Sequence, residues 1–154
     1  MFDRNYLMNP FKLKTSTEEE LSDVIDQLSQ MYNYDDDTMG VISDNIQIEC
    51  DLLVVYGELI ARYERDHDLT KLDADINESR NIYQLRKDWV EMNTEKPPAM
   101  SYFEAQAEEK VKPLRTRQIE LKSMLNRFKM AWDSMDKKQQ ALKRKQDTIK
   151  YEGA

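Results

Sequence analysis

The feature that most limits the fold of this 154-residue chain is a hydrophobic repeat in its C-terminal third. Ala107, Val111, Leu114, Gln118, Leu121, Leu125, Phe128, Trp132, Met135, Gln139, Leu142, Gln146 and Ile149 follow one another in alternating steps of four and three. That spacing averages the coiled-coil period, so these side chains form one seam along one helix. Ten of the thirteen positions are apolar. A lone helix cannot keep so much apolar surface in water. The preceding helix, other copies of the chain, or both must cover it. Gln118, Gln139 and Gln146 are either polar register devices or plain lapses in the pattern. Pro113 near the start of the seam should kink the helix or mark its true beginning.

The upstream sequence supplies helices to meet this seam. Residues 1–16 read as an arm, because Pro10 and the run Phe11-Lys12-Leu13-Lys14 show no helical period. Thr17-Glu18-Glu19-Glu20 is a capping box that starts a helix over about 17–32, with Leu21, Val24, Ile25 and Leu28 on one face. Asn33 to Asp37 is a polar break, with Asp37 or Thr38 placed to cap the next helix. Its Asp35-x-Asp37 spacing resembles the start of a calcium loop. Met39 and Ile46, however, stand where that loop needs oxygen ligands. A long helix then runs over about 44–92, with a polar weak joint at residues 62–68. Its stripe is Ile48, Leu52, Val55, Leu59 and Tyr63, continued by Leu69, Leu72, Ile76 and Tyr83. Ile82, Leu85 and Trp89 make a second face. Pro97-Pro98 ends it. Ser101 and Glu104 form a second capping box, opening a helix over about 102–150. The predicted fold is all-α. It is a long antiparallel helical hairpin or coiled coil with a short N-terminal helix, a single helical domain over 17–150, assembling into a homo-oligomer.

Composition removes most alternatives. Three glycines and four prolines are too few for the tight turns of a small β sandwich or barrel. No two glycines stand close enough for a dinucleotide fingerprint or a P-loop. Cys50 is the only cysteine, which rules out an internal disulfide and cysteine-rich zinc sites. His67 is the only histidine and reads as a surface residue in a charged joint. No nucleophile–base pair or metal-ligand spacing stands out, so the reading is a non-enzyme with no cofactor and no metal. No apolar run approaches the ~20 residues of a membrane span, and the N-terminus lacks the pattern of a signal peptide. A soluble, cytoplasmic protein without a membrane partner is expected.

The net charge of −7 hides an asymmetry. Residues 1–109 carry 10 basic and 25 acidic side chains, whereas residues 110–150 carry 13 basic and 4 acidic. Local charge decides contacts, because screening sets in within ~8 Å at physiological salt. One column of the seam helix reads Arg115, Lys122, Lys129, Asp136, Lys143, Lys150, and Lys137, Lys138, Arg144 and Lys145 broaden it into a patch. These cations can meet the acidic preceding helix (Asp66, Asp68, Asp73, Asp75, Glu78), or they can form a track for phosphates. A second basic site, Arg86-Lys87 beside Trp89, lies at the end of the long helix, where it also complements the helix dipole. Tyr83, Trp89, Tyr102, Phe103 and Trp132 are the aromatic candidates for stacking bases, although Trp132 is on the seam and suits core packing.

Residues 35–150 resemble the UvsY-like recombination mediators of T-even-type phages. The resemblance lies in the layout: a capped acidic helix, a long charged helix ending in Arg86-Lys87-Asp88-Trp89, a proline-rich break, and a closing heptad helix with a basic end. It implies a non-enzymatic protein that binds single-stranded DNA and helps load a recombinase onto DNA covered by single-strand-binding protein. It also implies a homo-oligomeric ring, a heptamer being the candidate, in the host cytoplasm if phage-encoded. Arg86, Asp88 and Trp89 match the later positions of the family's basic–x–Arg–x–Asp–aromatic motif. Gln84 stands where its first basic residue belongs, and Lys87 is beside it. The candidate DNA-binding residues are therefore Arg86, Lys87, Trp89, Lys137, Lys138, Lys143, Arg144 and Lys145. The candidate assembly seam is Leu114, Leu121, Leu125, Phe128, Trp132, Met135, Leu142 and Ile149. The alternative is a structural coiled-coil scaffold or adaptor with no nucleic-acid role, in which the basic stripe serves only helix and subunit contacts.

Overall fold

A computed structural model describes Asn5 and residues 8–93 and 95–153. The described residues hold four helices and no strand: α1 (Pro10–Thr15), α2 (Glu18–Met31), α3 (Met39–Met92) and α4 (Met100–Glu152). The expected arm lies only partly within the described residues, and there it is helical. Asn9 caps α1 by accepting the Phe11 amide, and Pro10 takes the first helical position, where no amide hydrogen is needed. Local capping thus forms a turn of helix that hydrophobic periodicity could not reveal.

The Thr17 capping box is present: Thr17 Oγ1 accepts the Glu20 amide at 3.1 Å, and Glu20 Oε2 accepts the Thr17 amide at 2.7 Å. α3 starts five residues earlier than its apolar stripe suggested. Asp36 Oδ1 accepts the Thr38 amide, and the Thr38 carbonyl accepts the Ile42 amide, so Thr38 stands at the cap position. Ile42, 1% exposed, anchors that first turn. α4 starts at Met100, which puts Ser101 inside the helix rather than at its cap. The helix runs on through Pro113, so the proline neither starts nor interrupts it.

The chain forms two compact units, residues 1–62 with 126–154 and residues 63–125. The division falls at the polar joint of α3, which is itself one unbroken helix. In the first unit, α1, α2 and the first half of α3 close over a core of Leu13, Leu21, Val24, Leu28, Ile48, Leu52, Val55 and Leu59. Phe128 and Met135 of α4 pack on it. The α3 and α4 segments are antiparallel: Trp132 Nε1 donates to the Leu53 carbonyl, while further along α4 Lys138 meets Glu49. Arg62 ties α1 down. Its guanidinium donates to the carbonyls of Leu13, Lys14 and Ser16 at 2.6–3.0 Å and is braced by Glu58. These are the carbonyls that a helix end leaves without partners.

In the second unit, Ala74 of α3 and Phe103, Ala107, Val111, Leu121 and Leu125 of α4 are buried. Arg115 reaches across to Asp75 and Glu78, both at 2.7 Å. Every one of the thirteen seam positions of α4 is buried or half-buried. In the first unit Trp132 and Gln139 of the seam meet Leu53 and Cys50 of α3, and in the second Gln118 meets His67.

Candidate nucleic-acid interface

Arg86 and Lys87 sit near the C-terminal end of α3, exposed and side by side. With Tyr83, Val90 and Glu91 they line an open groove of about 380 Å³. Helical spacing makes this so, because positions 83, 86, 87 and 90 share one face. Tyr83 is 69% exposed and Val90 60%. Arg86 has no ion-pair partner among the described residues, and Lys87 has only Glu91 at 3.8 Å, with both side chains more than half exposed. Arg86 also borders a smaller hollow with Pro97, Pro98, Met100 and Phe103.

Trp89 is placed differently from its neighbours. Its ring packs edge-on against Tyr102 and Phe103, with centroids 6.4 and 6.5 Å away. Its indole nitrogen is buried without a hydrogen-bond partner among the described residues. Trp89 therefore braces α3 against the start of α4, and Tyr83 is the aromatic that stands beside the two cations. In the sequence Tyr83 stands both on the apolar stripe of the long helix and among the five candidate stacking aromatics. Its i, i+3, i+4 relation to Arg86 and Lys87 was the signal available.

The C-terminal patch divides into engaged and open cations. Lys138 Nζ lies 3.0 Å from Glu49 Oε1, and Glu49 is 1% exposed. The same ammonium stands 3.9 Å from the Tyr32 ring centroid and 5.1 Å from that of Tyr34. Burial pulls the Lys138 pKa down. The hydrogen bond and charge of Glu49, with the two tyrosines, outweigh that and leave it raised. Lys145 pairs with Asp37. Lys137, Lys143 and Arg144 are exposed, and Lys143 donates only to Gln139 Oε1. Two of the five cations thus hold α4 to the segment between α2 and α3 and its neighbourhood.

Within the column that runs from Arg115 to Lys150, Arg115 bridges to the acidic face of α3. Hydrogen bonds to Glu78 and then Asp75 raise its pKa further. Lys122 is exposed and takes no part in an ion pair among the described residues. Two of the three seam glutamines, Gln118 and Gln139, meet polar partners on α3. Gln118 Nε2 is 3.5 Å from His67 Nε2, and the Gln139 amide points at the Cys50 sulfur. His67 is consequently not a surface residue: its side chain is 17% exposed and its other ring nitrogen lies 3.0 Å from Asp68.

Among the described residues no group of three or more His, Cys, Asp or Glu side chains is placed to hold a metal ion. Among the described residues no helix is long and apolar enough to cross a membrane. The chain matches no protein-family model, no curated protein and no solved structure.

Proposed function

We propose that the protein is a non-enzymatic single-strand-binding recombination mediator, and that Arg86 and Lys87 are its primary contact with phosphates. The observation that supports this reading is the exposed Tyr83–Arg86–Lys87 face: two cations free of strong internal pairing, beside an aromatic ring with one side open. Nonspecific single-strand binding combines a cationic track with rings on which bases stack. The open cations Lys137, Lys143 and Arg144 supply a second, auxiliary set. The loading of a recombinase onto DNA covered by single-strand-binding protein rests on the resemblance described above and is part of the same reading.

The test is fluorescence anisotropy with a labelled single-stranded oligonucleotide across a salt series. Wild-type affinity should fall steeply with salt, since each phosphate contact releases counterions. Arg86→Ala with Lys87→Ala should weaken binding about tenfold or more and lower the salt slope by roughly 1–1.5. Trp89→Ala should instead lower stability. Folded wild-type protein that binds no oligonucleotide at low salt would reject the proposal.

A further inference from the structure

The second half of α3 carries a heptad stripe that nothing in its own unit covers. Leu69, Leu72, Ile76, Tyr83 and Val90 are 53, 54, 45, 69 and 60% exposed. Positions 69, 76, 83 and 90 recur every seven residues, and 72, 79 and 86 interleave with them. The α4 seam is met by a different row of α3, through His67 and Ala74. The stripe is apolar or aromatic at five of these seven positions, Ser79 and Arg86 being the others, and so narrow a stripe is the geometry of a helix that meets one other helix.

The flanking charges select the partner. One edge of the stripe reads Asp66, Asp73, Arg80 and Lys87, acidic then basic, while Asp75 on the other edge is already bound by Arg115. A second α3 laid antiparallel brings acidic border against basic border. Leu72 then opposes Tyr83 of the other copy, Ile76 opposes Ser79, and Asp73 meets Arg80 twice by symmetry. The stem of Arg86 lies over Leu69 with its head at the rim. A parallel pair in register would instead set Arg86 against Arg86 within the seam and Asp68 beside Asp73, and the Asp75 that it would bring to Arg80 is already bound by Arg115. The stripe is therefore complementary to itself in one direction.

We infer that this face of α3 is the surface through which two copies of the chain pair, antiparallel and isologous. The inference goes beyond the nucleic-acid reading and is tested without nucleic acid. Where both hold, Tyr83 and Arg86 belong to both surfaces, so a bound strand and a second copy exclude one another there.

Sedimentation equilibrium of the full chain over a concentration series decides the matter. Wild type should reach the mass of two copies. Leu72→Glu with Ile76→Glu should sediment as one copy with unchanged circular dichroism, because both positions face solvent in the single chain. Asp73→Arg alone should weaken pairing at least tenfold, and adding Arg80→Asp should restore it. A single-copy wild type overturns the inference, as does a double glutamate variant of unchanged mass or a closed assembly larger than two. Equal weakness of Asp73→Arg with and without Arg80→Asp overturns the antiparallel register. A single-copy wild type whose oligonucleotide affinity drops in the double glutamate variant would assign the stripe to nucleic acid instead.

Discussion

At the residue scale, the placement of single polar groups decides which cations are free. Glu49 is buried, its Oε2 has no hydrogen-bond partner among the described residues, and its Oε1 pairs with Lys138. Removing one partner of a buried pair costs more than replacing both. Lys138→Met should cost about 2 kcal/mol, below the usual buried-pair value because the lysine side chain is 40% exposed. Glu49→Leu with Lys138→Met should recover most of that loss in urea midpoints. A Lys138→Met midpoint equal to wild type would show that the pair contributes nothing. The pair also sets a pH dependence. Lys138 in the folded chain lies above the ordinary lysine value of 10.5, so its contribution is complete below that pH and vanishes as pH rises through the folded value. Burial raises Tyr32 above 10.0 and acts in the same direction. Wild-type stability should therefore fall in this alkaline range, and it should fall less in Lys138→Met. An alkaline arm of equal slope in the two proteins would contradict the assignment.

At the element scale, each helix is specified by signals of different range. The Thr17 capping box, the Pro97-Pro98 stop and the α4 seam are local patterns, and each stands where the sequence puts it, within one or two residues for α2 and α4. α1 is too short to show a period, and the Asn9 cap with Pro10 at the first helical position forms it where the sequence reads as an arm. Pro113 is the exception within α4. It is exposed, and it removes the hydrogen bond its amide would have given to the Glu109 carbonyl. Pro113→Ala should raise stability by about 1–2 kcal/mol, the helix gain being offset in part by a more flexible unfolded chain. Calorimetry gives the answer; an unchanged or lower Tm would mean that the proline's geometry is required there.

At the scale of the whole molecule, the two units differ in what they bury. The first encloses a cluster of eight buried apolar side chains around α2 and the early part of α3. The second buries only Ala74 from its share of α3 among the hydrophobic side chains, and Leu69, Leu72 and Ile76 face outward. In the Leu72→Glu with Ile76→Glu variant, which does not pair, amides of residues 68–92 should therefore exchange with deuterium faster than those of residues 42–59, and faster than the same amides of the paired wild type. Similar protection of the two segments in that variant would show that the outward stripe is covered even there. The sequence by itself determined that the chain is helical, where most helices stop, and which edge of α4 needs a neighbour, because all of these depend on residues within a few turns of one another. It could not say which of the two apolar rows of α3 turns inward. From Ile48 to Leu59 the buried row is apolar and easily read, but beyond the polar joint that row passes through His67, Thr70 and Ala74, and the conspicuous leucines turn outward. Only the tertiary structure decided this, and with it which cations are spent on Glu49, Asp37, Asp75 and Glu78 and which remain open. The phase of one helix against another is a property of contacts between residues far apart in the chain, and no local pattern encodes it.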